Sequence, residues 1–184
     1  MRRTPLLLSF ALLLCSACGR GEDRADTAAR STEDSPGAAA GGTATTIHLV
    51  ISGGQHAGTY DATSSKFTCT HGFAGPGAWG NQYSVTGKKP NEFSSLQLIV
   101  ADTKDAADGT DQFLLTVGFG ELFQPGYTEH SIKTQPGASK QEGSGTVTVD
   151  DREKTGKVTF KGKTAEGVTL EGTIDCHQVM RGGG

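Results

Sequence analysis

The sequence predicts an all-β domain, an antiparallel β-sandwich of about eight to ten strands with a closed barrel as the alternative form. Three observations carry this. From Thr46 onward apolar residues recur at every second position, which is the period of a half-buried strand. Glycine fills 27 of 184 positions, about twice its usual share of roughly 7%, and much of it falls between the alternating runs, where turns need it. Beyond the apolar start of the chain, no stripe of helical period is long enough to give a helix a face to bury.

The first element is an export signal. Arg2 and Arg3 precede an apolar run from Leu6 to Leu14, broken only by Ser9. Nine residues of helix fall short of a hydrocarbon core roughly 30 Å thick, so the run reads as a signal peptide and not a membrane span. Ser16-Ala17-Cys18 then resembles the lipobox of bacterial lipoproteins, in which small residues precede a cysteine that becomes diacylated and is the first residue after cleavage. The family usually has Leu three residues before that cysteine, and here Cys15 stands there. Lipidation at Cys15 fits less well, because bulky Leu14 would occupy the small-residue position. Ordinary secretion would also cut before Cys18, but it would leave an exposed thiol in an oxidising compartment. The resemblance implies a palmitate-bearing anchor on Cys18, with the membrane as partner. Gly19 is not the acidic residue that retains such lipoproteins at the inner membrane, so the outer membrane is favoured.

The organisation expected is a signal peptide over 1–17, a disordered spacer over 18–45, the β domain over 46–180 and a flexible tail over 181–184. The segment 19–45 contains no aromatic residue and no Leu, Ile or Val, so it has little apolar surface with which to offset the entropy of ordering. As a flexible coil its ends would lie roughly 30 Å apart. From Thr46 on there are 12 Lys and Arg against 15 Asp and Glu. That balance gives no electrostatic reason to expect nucleic acid as a partner.

Within the domain, Ile47, Leu49 and Ile51 open the inward set, followed by Leu96, Leu98 and Val100, then Phe113, Leu115, Val117 and Phe119. Val147 and Val149, Val158 and Phe160, and Val168, Leu170 and Ile174 complete it. Thr148, Thr159, Lys161, Thr169, Glu171, Thr173 and Asp175 point outward. Lys157, Lys161 and Lys163 share one outward face, where Glu171 and Asp175 of the next strand can offset them.

Cys69 shares the inward face with Phe67, and Cys176 shares it with Leu170 and Ile174. Two inward thiols in an exported domain favour a Cys69–Cys176 disulfide. Cys69, His71, Cys176 and His177 also form a zinc ligand set, but His177 follows Cys176 directly, so alternation sends it to the opposite face. Gly172-Thr173-Ile174-Asp175-Cys176 resembles the closing Gly-x-x-x-Cys strand of small mycobacterial β-sandwich lipoprotein antigens. That resemblance covers a few residues and implies a fold and an anchor, not a reaction.

Two loops stand out. Asp102, Asp105, Asp108 and Asp111 recur at every third position; the spacing is wrong for an EF-hand, and an acidic, solvated hairpin tip is expected. Gly72 to Tyr83 is glycine-rich and ends in the chain's single tryptophan. It lacks the following helix of a phosphate-binding loop. Trp79 and Tyr83 are the expected ligand contacts, with capping of the sandwich end as the plain alternative. The five histidines are scattered, and Glu142 displaces the first glycine of a Gly-x-Ser-x-Gly elbow around Ser144. Neither catalytic residue, metal nor cofactor is expected. The favoured function is a membrane-tethered extracytoplasmic binding lipoprotein with a protein or carbohydrate partner. A structural envelope lipoprotein is second, and a secreted hydrolase third.

Overall fold

In the computed structural model, residues 44–66 and 68–182 are described. They form β1 (Thr45–Ser52), β2 (Gly58–Ser64), β3 (Cys69–His71), β4 (Trp79–Ser84), β5 (Phe93–Val100), a single helical turn α1 (Thr103–Ala106) and β6 (Phe113–Phe119). After these come β7 (Thr128–Lys133), β8 (Ser144–Arg152), β9 (Thr155–Lys163), β10 (Thr169–Cys176) and β11 (Val179–Arg181). The strands divide into a five-stranded sheet, β2-β1-β10-β9-β8, and a six-stranded sheet, β11-β3-β4-β5-β6-β7. Among the described residues neither strand order closes on itself. The sandwich is therefore the architecture, and the barrel alternative is set aside.

Every neighbouring pair is antiparallel except β11 beside β3, which run parallel. Eleven strands are formed among the described residues, more than the eight to ten expected. The excess lies in β3 and β11, three residues each, too short to show a period. Of the tail expected over 181–184, residues 183–184 lie outside the described residues, and Arg181 belongs to a strand. Arg181 closes β11, and its guanidinium donates to the Glu153 carbonyl and the Asp151 carboxylate.

The inward set is the one the alternation gives. Leu49, Leu96, Leu98, Phe113, Leu115, Phe119, Leu170 and Ile174 are fully buried between the sheets. A buried aliphatic or aromatic side chain contributes roughly 1.5–3 kcal/mol, so a lean sequence still closes a continuous core by keeping this period through most of each strand, with one break at the bulge between Phe93 and Ser95. The disulfide is formed: Cys69 Sγ and Cys176 Sγ are bonded, with Cα atoms 6.1 Å apart. It joins β3 of one sheet to β10 of the other. Both sulfurs are thereby consumed, and the zinc alternative gives way.

The aspartate-rich segment holds the helical turn α1. Asp102 is the N-cap of α1, its carboxylate accepting from the Lys104 N–H at 2.8 Å. Ala106 is fully buried beneath the turn. Asp105, Asp108 and Asp111 are exposed, as a solvated tip requires, while Ala106, invisible to a count of aspartates, anchors the turn to the sandwich end.

Candidate functional site

Trp79 and Tyr83 are not a contact surface. Both belong to β4, where alternate residues face inward, and their rings are 0% and 7% exposed. The Trp79 indole finds no acceptor among the described residues, and burial pushes the Tyr83 phenol above its ordinary pKa. Tyr83 stacks on Phe93 with ring centroids 5.5 Å apart. The loop proper is only 72–78, and its exposed aromatic is Phe73, 61% accessible. Gly72 N–H to the Ala78 carbonyl (2.8 Å) and Ala78 N–H to the Gly75 carbonyl (3.0 Å) pin that loop. Cys18 lies outside the described residues, as does Phe67.

At the end of the sandwich near Trp79, three inward polar side chains converge. His71 Nδ1 is 3.0 Å from Asp151 Oδ2, across the gap between the sheets. Arg181 contacts both His71 and Asp151. On the other side of the imidazole, Nε2 is 3.4 Å from Thr103 Oγ1. Hydroxyl, imidazole and carboxylate thus stand in the order of a hydrolytic triad, beside a hollow of about 200 Å³. The Thr103 hydroxyl, however, donates to the Gly77 carbonyl, so its proton is not offered to His71. The contact with Nε2 is also long for a hydrogen bond. What the geometry does is clamp α1, the 72–78 loop and the two sheets together.

The two outer faces of the sandwich differ sharply. On the five-stranded sheet charged outward residues are paired by register on either side of a neutral row, Thr148, Thr159 and Thr173. Asp150 faces Lys157, which faces Asp175. Lys161 Nζ lies 2.8 Å from Glu171 Oε2, and His48 Nδ1 lies 2.7 Å from Asp61 Oδ1. On the six-stranded sheet, the outward residues of β3 to β6 carry no charge. One cross-strand row is Gln82, Gln97, Thr116 and Ser131. The row beside it runs Met180, Thr70, Gly80, Ile99 and Leu114, and ends on Lys133 of the edge strand β7. On the other side Ser84, Ser95 and Gly118 lead to Glu129 on the edge strand β7.

This neutral face is grooved. A hollow of about 520 Å³ and another of about 350 Å³ meet over Gln82, Ser84 and Gln97, which line both. The first ends against Phe73 and Met180, the second against Leu122 and Tyr127. Gly118 opens the second end. A Cβ there would lie 2.6 Å from the Tyr127 hydroxyl and 2.3 Å from Ser95 Oγ, so only glycine lets the tyrosine lie this close to the sheet. Phe123 is 92% exposed at φ 65°, on a loop held by Glu121, whose carboxylate accepts from the Lys88 N–H at 3.2 Å.

Comparison with protein-family models, with curated proteins and with solved structures finds no match for the chain. The neutral row was missed in the sequence because glutamine, serine and threonine name no chemistry singly. The signal was present in the outward positions of β4, β5 and β6, which lack the Lys, Glu and Asp found on β8 to β10.

Proposed function

We propose that this chain is an extracytoplasmic binding lipoprotein, anchored through Cys18, whose β-sandwich takes up a ligand on the outer face of its six-stranded sheet. One observation carries the reading, the contrast between the two outer faces. A face that has only to be solvated is served by interleaved charges, as on β8 to β10. A neutral, grooved face with exposed apolar side chains at its ends has instead the makeup of a contact surface, where charged residues are depleted. The hydroxyl-imidazole-carboxylate series at the sandwich end does not support a hydrolase, since its hydroxyl is donated to a backbone carbonyl.

The test is a map of binding. Amide shifts of the labelled protein are followed while fractionated envelope material is added. Shifts centred on Gln82, Gln97 and Thr116 are expected. Shifts centred on Lys161, Glu171 and Asp175 of the opposite sheet would overturn the assignment.

A further inference from the structure

The chemistry of the groove narrows its occupant, on the reading that this face is the binding face. We infer that the ligand is an uncharged glycan chain lying across the strands of the six-stranded sheet. The groove floor offers amides and hydroxyls in a row. Each glutamine side chain presents two N–H donors and a carbonyl acceptor, and each Ser or Thr hydroxyl both donates and accepts. Sugar hydroxyls have the same dual character, so every floor group finds a partner whichever way a hydroxyl turns. An extended peptide, by contrast, satisfies its backbone by adding to a sheet edge, and this groove lies on a face.

Charge points the same way. Among the described residues lining the two hollows, the ionic side chains are Lys66, Glu121 and Glu129, and Lys133 ends the Leu114 row; none belongs to the central row of Gln82, Gln97, Thr116 and Ser131. A phosphorylated, sulfated or uronic-acid polymer would bring charges that this floor cannot neutralise. A neutral polymer brings none.

The apolar groups complete the match. Pyranose rings carry polar rims and C–H faces, and the row beside the amides offers Ile99, Leu114 and Met180. Phe73 and Tyr127 stand at the two ends, the first on a pinned loop and the second packed over Gly118. Aromatic rings, with few rotatable bonds, provide contact area at low cost in rotamer entropy. With strands roughly 4.8 Å apart, the path from β3 to β7 spans about 19 Å, enough for several sugar units.

The test is calorimetric titration of the purified full-length protein with neutral oligosaccharides of glucose, xylose and N-acetylglucosamine. Binding of at least one is expected. Gln82→Ala with Gln97→Ala should weaken it by at least about tenfold, Phe73→Ala by several-fold, and Lys161→Ala on the opposite sheet should leave it unchanged. All these side chains point outward, so thermal melts of the variants should match the parent. Failure of every neutral oligosaccharide to bind would overturn the inference. If an acidic glycan or a peptide binds instead and is weakened by the same Gln variants, the glycan class is wrong while the binding face stands. Neutral glycan binding that ignores the Gln82, Gln97 and Phe73 variants would overturn both.

Discussion

The imidazole of His56 lies flat on the ring of Phe119, with centroids 4.0 Å apart and planes 3° from parallel. His56 sits in the turn between β1 and β2, and Phe119 closes β6 of the other sheet, so the stack joins the sheets at the end opposite the His71 clamp. The turn is held in place. His56 Nε2 is 2.8 Å from Thr128 Oγ1, and the Tyr60 hydroxyl donates to the His56 carbonyl at 2.9 Å. The backbone of His56 is left-handed, φ 63°, a conformation that is strained for a residue with a Cβ. Strain accepted here is offset by the stack and the two hydrogen bonds.

This predicts an acid-sensitive fold. Burial, and after it the neighbouring His130, hold the His56 pKa below its ordinary value. The unfolded chain therefore takes up the proton first as pH falls. Stability is full above the unfolded pKa of about 6.5 and is lost as pH drops from there through the lower folded value. Urea midpoints measured from about pH 7.5 down to about pH 5 should fall. His56→Asn, which tolerates the left-handed backbone and does not titrate, should flatten that fall. An equal slope in the variant would remove His56 as the cause.

The Cys69–Cys176 bond closes a loop of 107 residues in sequence separation. The chain-entropy account gives a link of that size about 4.7 kcal/mol, a large part of a typical stability of roughly 5–15 kcal/mol. Cys69→Ala with Cys176→Ala should lower stability by about 4 kcal/mol, read as a lower denaturant midpoint. Since both cysteines are fully buried, thiol labelling after mild reductant should track unfolding. Rapid labelling of the native protein would contradict the geometry.

The core was legible in the sequence because burial on a strand is written in period two, and Leu96, Phe113 and Ile174 obey it. So was the disulfide, because parity put both thiols inside. Trp79 was misjudged although the same parity runs through Trp79, Asn81 and Tyr83. The glycines before it suggested a loop extending to Tyr83, whereas the strand begins at Trp79 itself. The His71–Asp151–Arg181 clamp was not legible at all, because its members are brought together only by the packing of the two sheets. The groove floor was half-legible, as a missing charge pattern and not as a motif.

Gly172 gives a physical reason for the glycine in the Gly-x-x-x-Cys strand. It pairs with Leu49 of β1 and Phe160 of β9. A Cβ there would lie 2.3 Å from the His48 carbonyl oxygen and 2.7 Å from the tip of Phe160. Gly172→Ala should cost about 1–3 kcal/mol by overpacking, measured by chemical denaturation. Adding Phe160→Leu should not restore the parent stability, because the backbone carbonyl cannot retreat without breaking the sheet register. Full rescue by Phe160→Leu would show that the side chain alone sets the limit.

Membrane attachment is the remaining prediction, and it rests on the sequence alone. The charged start, the short apolar run and Ser16-Ala17 before Cys18 are the grounds for expecting cleavage before a cysteine that then carries lipid. A single acyl chain holds a protein only marginally and reversibly, while two or more give stable anchoring, so a diacylated Cys18 should keep the chain in the membrane fraction through salt washing. Expression with labelled palmitate should label the parent and leave Cys18→Ala unlabelled. If the label persists in Cys18→Ala, or if the unsubstituted protein is recovered in the soluble fraction, the anchor assignment is wrong. Cys15→Ala is the control that separates the two cysteines. It should keep both label and membrane attachment, because Leu14 leaves Cys15 without the small residue that processing requires.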